Sequence, residues 1–75
     1  MKHLQLASNL EQLRESQGLS LAQLGQRVGV AREQIWCYEH GEKMPSVQTL
    51  VMLADVLEVT VDALLFGPAN KGAAS

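Results

Sequence analysis

Cysteine is nearly absent from this chain of 75 residues: Cys37 stands alone, so no internal disulfide can form. Aromatic residues are as scarce. One Phe, one Trp and one Tyr leave the core to be built from aliphatic side chains, which supply most of the 47% hydrophobic content. No apolar run approaches the ~20 residues that a membrane-spanning helix needs, and no charged leader precedes a short apolar stretch, so a cytoplasmic chain is expected. Repeats, β-type alternation and Gly-rich phosphate loops are missing too. His3, His40 and Met52 lack the spacing of metal ligands. Cys37 and His40 lie three apart with no third group to orient them, so neither an enzyme nor a cofactor or metal site is expected.

An excess of positive charge is also lacking. The formal net charge is −2, with a pI near 5.5. Through residue 43, five basic side chains (Lys2, Arg14, Arg27, Arg32, Lys43) balance five acidic ones, whereas beyond it Asp55, Glu58 and Asp62 outnumber Lys71. The negative excess therefore sits in the C-terminal half. Such a chain cannot hold nucleic acid by bulk charge. Any contact must come from placed side chains, backbone N–H groups and helix N-termini, at a cost in non-specific affinity.

What is present is helical punctuation in the right order. Leu6, Leu10 and Leu13 repeat along one face of a first helix over residues 6–16, which Gly18 ends. Ser20 followed three residues on by Gln23 opens a second helix with a capping box. Leu24 and Val28 carry its apolar face, and Gly29 supplies the left-handed residue for a tight turn. A third helix begins near Ala31, with Ile35 and Tyr38 inward and Arg32, Glu33, Trp36 and Cys37 on or near the outward face. After a loop, Pro45 and Ser46 start a fourth helix whose apolar positions are Val47, Leu50, Val51, Leu53, Ala54 and Leu57. Thr60 caps a short fifth helix with Val61, Leu64 and Leu65, stopped by Gly67 and Pro68. One helical domain over residues 1–67 is expected, followed by a flexible tail at 68–75 too small and polar to bury anything. A domain of this size buries only ~60% of its unfolded surface, so pairing with a second copy is a natural source of added stability.

Residues 19–41 thus read as two short helices about a tight turn. A helix held clear of its own domain in this way fits the major groove of DNA. The run of Gly18, Ser20, Leu24, Gly29, Val30, Ile35, Glu39, Gly41, Pro45, Thr49, Leu50, Ala54 and Leu57 resembles the XRE-type family of phage-repressor-like DNA-binding domains. The resemblance implies an all-α, five-helix lambda-repressor-like fold. It implies a homodimer that regulates transcription, in the manner of a repressor, from a palindromic operator in double-stranded DNA. In that family the positions of Arg32 and Glu33 face base edges or nearby phosphates. Arg can donate twice to guanine, and Glu can accept from cytosine N4. Gln34, Ser20, His40 and Lys43 are the candidate phosphate contacts. The resemblance also implies that Arg14 pairs with Glu39 to orient the third helix, as structure rather than recognition.

Four residues depart from the family pattern. Leu21 replaces a phosphate-binding Gln, and Ala31 replaces a Ser or Thr cap, at a cost of about 1 kcal/mol. Trp36 and Cys37 replace small or polar residues. Trp36 is spaced to stack on Arg32, or to meet a thymine methyl or a sugar edge, or to pack on the second helix near Leu21. Cys37 reads either as a base contact or as a passive small residue. The Leu21 and Trp36 surface opens an alternative function, a protein-interaction module on the same fold, such as an antitoxin or anti-activator. For the homodimer, the apolar residues of the C-terminal helix, Val59, Val61, Leu65 and Phe66, form the expected interface.

Overall fold

The computed structural model describes residues 4–67. Among these, five helices and no strand occur: α1 (Leu6–Ser16), α2 (Leu21–Val28), α3 (Arg32–Glu39), α4 (Val47–Leu57) and α5 (Val61–Phe66). Five helices in this order are what the resemblance implied. The tail expected at residues 68–75 lies outside the described residues.

Local chemistry sets each start. Ser20 Oγ accepts from the Gln23 N–H at 3.0 Å while Gln23 Oε1 accepts from the Ser20 N–H at 2.8 Å, closing the capping box of α2. Ser46 caps α4 and Thr60 caps α5 through the amides of Thr49 and Ala63. Asp62 adds negative charge at the positive end of α5. Two helices start without a side-chain cap. At α3 the Ala31 backbone is extended and no side chain satisfies the first turn. The start of α1 is tied down from a distance instead, by the Gln5 N–H donating to the Leu65 carbonyl of α5 at 2.7 Å.

Packing follows the aliphatic pattern. Leu10, Leu24, Ile35, Leu53, Leu57 and Leu64 are the largest fully buried side chains, and each helix contributes at least one. α3 packs on both α1 and α2, α5 returns against α1, and α4 spans α2 and α5. Burial of each such side chain is worth about 1.5–3 kcal/mol against exposure. Polar ties support the closure of the C-terminal helices. Asn9 Nδ2, buried, donates to the Leu64 carbonyl at 3.1 Å, and Gln17 Nε2 donates to the Leu57 carbonyl at 2.7 Å.

The surface departs from the apolar pattern in one place. Leu50, Leu53, Ala54 and Leu57 define the buried face of α4, which turns Val47 and Val51, at successive turns, outward at 77% and 53% exposure. Val59, in the connection before α5, and Val61 and Leu65 on α5 are half-buried against the core, and Phe66 at the end of α5 is half-buried too.

Glu58 closes α4 in the left-handed conformation, at φ 61 and ψ 43, a geometry that costs an L-residue about 1–2 kcal/mol. Glu58→Gly removes that strain and adds some unfolded-state entropy, for a net gain of about 0.5–1 kcal/mol. A thermal melt is expected to rise by ~2–8 °C. An unchanged or lowered midpoint would show that the Glu58 side chain contributes more than its backbone costs.

Candidate nucleic-acid interface

The turn between α2 and α3 depends on two glycines. Gly29 adopts φ 87, and the amides of Gly29 and Val30 both reach back to the Gly25 carbonyl, at 2.7 and 2.9 Å. Gly25 is buried, and a Cβ there would sit 2.7 Å from the Val30 carbonyl oxygen. The backbone of the turn therefore lies directly on α2. Sequence reasoning singled out Gly29 but missed Gly25, because close backbone approach leaves no mark in hydrophobic periodicity.

α3 is held from behind. Ile35, Tyr38 and Glu39 are its buried residues, and Arg32, Glu33 and Trp36 are exposed on the other side. Gln34 and Cys37 are half-buried at the edges of that face. His40 follows as the C-terminal cap of α3, and Lys43 is exposed in the loop beyond it. Ser20 is also exposed, and its hydroxyl oxygen already accepts from the Gln23 amide. Trp36 does not stack on Arg32. Its ring lies on His40, with centroids 3.8 Å apart and planes 16° from parallel, and His40 Nδ1 is 2.8 Å from the Trp36 carbonyl oxygen. Helical side chains lean toward the N-terminus, which brings residue 40 back over residue 36. Leu21 is half-buried against the core, which withdraws much of it from the surface it was expected to share with Trp36.

Behind α3, Arg14 and Glu39 form a two-bond fork: Nε to Oε2 at 2.6 Å and Nη2 to Oε1 at 3.1 Å. Arg14 Nη1 also donates to the Leu19 carbonyl at 2.7 Å, a bond that sequence reasoning did not foresee. The side chains are 12% and 2% exposed. The bond to Glu39 raises the Arg14 pKa above its usual value, against the opposing effect of burial. A raised pKa means that this stabilisation is complete below the ordinary arginine value and is lost only as pH climbs through the still higher folded one. Arg14 therefore stays charged across the whole neutral range.

The pattern described as "Helix-turn-helix domain" matches residues 5–65, most of the chain. The chain belongs to the phage-repressor-like helix-turn-helix family. The HTH-type transcriptional regulator AnsR of Bacillus subtilis strain 168 is 38% identical over 56 residues, 75% of this chain and 48% of that protein. The P22 c2 repressor, solved in complex with a synthetic operator, superposes with a TM-score of 0.80 at 29% identity, over 83% of this chain and 94% of that one. SinR, a master regulator for biofilm formation solved in complex with DNA, superposes at 0.74 with 32% identity, over 79% and 95% of the two chains. This helix-turn-helix chain spans about half the length of the curated relatives it matches. Among its described residues no helix is long and apolar enough to cross a membrane, and no group of three acidic, His or Cys residues could hold a metal ion.

Arg14→Ala strands the Glu39 carboxylate in the helix-turn-helix core. The expected loss is about 3–5 kcal/mol, seen as a thermal midpoint lower by more than ~12 °C. Arg14→Lys keeps the charge but loses the fork, and is expected to fall between the two. Circular dichroism melts decide it, and a change of a degree or two for Arg14→Ala would mean the pair carries little.

Proposed function

We propose that this domain binds double-stranded DNA as a homodimer, laying α3 in the major groove of each half of a palindromic operator, and thereby regulates transcription, as a repressor. The observation that carries the reading is the division of α3. Its inner side is fixed by Ile35, Tyr38 and the Glu39–Arg14 fork, and its outer side offers Arg32, Glu33 and Trp36 with nothing of the domain in front of them. A rigid helix with polar, exposed residues in its first turn is what base-edge readout needs. The likeness to repressor and regulator domains solved on DNA supports the same reading. In it, Arg32 donates to guanine O6 and N7, and Glu33 accepts from cytosine N4. Gln34, Cys37, His40, Lys43 and the Ser20 hydroxyl meet the flanking bases and phosphates.

Charge makes the dimer matter. Arg14 is committed to Glu39, so among the described residues Arg27, Arg32 and Lys43 are the exposed cations. Three cations hold DNA weakly. A second α3 about 34 Å away makes the second contact intramolecular and recovers affinity without added charge. The residues for that pairing are Val59, Val61, Leu65 and Phe66, half-buried and close to the end of the described chain.

Arg32→Ala is expected to cost about 1–3 kcal/mol on a selected operator and much less on random duplex. Equal losses on both would make Arg32 a phosphate contact, and no loss would remove α3 from the interface. For the wild type, the logarithm of the binding constant is expected to fall with the logarithm of salt at a slope of about −4 for a dimer in which Arg27 and Lys43 of each protomer meet phosphates. Titration on an inverted repeat with half-sites one turn apart tests this. A slope near zero would point to a protein partner, and a slope near half that value, with a single half-site bound equally well, would point to a monomer.

A further inference from the structure

On the outward face of α3, Arg32, Glu33, Trp36 and Cys37 line one shallow pocket. Its lining combines an indole and a thiol with one guanidinium and one carboxylate. Trp36 is 38% exposed, yet it is not loose: the His40 ring lies 3.8 Å behind it, and His40 Nδ1 is bridged to the Trp36 carbonyl at 2.8 Å. The ring is thus a braced apolar plate beside a charged pair.

From this geometry we infer that the pocket receives the C5-methyl group of a thymine, with Trp36 as a specificity-determining residue and His40 as the residue that positions it. The inference rests on the reading that α3 enters the major groove. There, the thymine methyl is the one apolar group a base edge presents, and every other feature is a hydrogen-bond donor or acceptor. The apolar face of an indole beside a small thiol matches that methyl better than it matches a donor or an acceptor. The charged pair answers its neighbours. Arg32 and Trp36 lie four residues apart, about 6 Å along the helix axis, which is close to two base-pair steps. The thymine therefore falls within about two steps of the guanine that Arg32 would read.

The test begins with selection of duplexes from a random library by the wild-type protein. Each thymine of the selected duplex is then replaced singly by deoxyuridine, which removes the methyl and leaves pairing intact. One thymine per half-site is expected to weaken binding about fourfold on replacement, the factor matching ~0.8 kcal/mol for one buried methyl group. Trp36→Ala should abolish that difference, and Trp36→Phe, which keeps an apolar ring, should retain most of it. Helix content by circular dichroism checks that both variants are folded. Failure to enrich any duplex would overturn the DNA-binding reading together with this one. Enrichment with no uridine-sensitive thymine, or with a sensitivity unchanged in folded Trp36→Ala, would overturn this inference alone. Tighter binding on 5-methylcytosine substitution without any response to uridine would also overturn it, in favour of a methylated cytosine.

Discussion

The Arg14 guanidinium is the group on which the arrangement of this domain turns. It binds Glu39 at the end of α3 with two nitrogens and the Leu19 carbonyl between α1 and α2 with the third. One side chain thereby fixes three parts of the chain. A single lysine could not do this, because a point charge lacks the planar fork that sets direction as well as distance. Since the Glu39 side chain is 2% exposed, the pair is both costly to bury and costly to break. Its effect at the surface is orientation: with its end held from inside, α3 has one way to face solvent.

The turn works by the opposite means, removal of side chain rather than addition. Gly29 provides the left-handed residue, and Gly25 lets the backbone of the turn rest on α2 with its carbonyl shared by two amides. A short turn with doubled hydrogen bonding transmits the position of α2 to α3 with little slack. α3 starts directly after this turn, at Ala31, with no side-chain cap.

Charge and apolar surface are distributed with economy. One of the four basic residues among positions 4–67, Arg14, is spent inside the fold, which leaves Arg27, Arg32 and Lys43 exposed. Exposed apolar side chains also occur elsewhere, at Met44 in the loop before α4 and at Val47 and Val51, which the buried face of α4 turns away from the core.

The sequence by itself determined the elements and their ends, because these rest on local interactions. Ser20 with Gln23, Ser46 with Thr49, Thr60 with Ala63 and the left-handed Gly29 act within one turn of chain, and aliphatic periodicity named the core at Leu10, Leu24, Ile35 and Leu64. The Arg14–Glu39 pair was legible only through family resemblance, since 25 residues separate its members. Only the tertiary structure decided the rest: the bond from Arg14 to Leu19, the closeness of Gly25 to Val30, the stacking of Trp36 on His40, and the outward turn of Val47 and Val51. Each depends on distances between elements or on a choice between rotamers of equal local merit. Contacts between elements are made when helices pack, by which neighbour is within reach; the Trp36–His40 stack lies within one turn, where spacing alone offers Trp36 both Arg32 and His40.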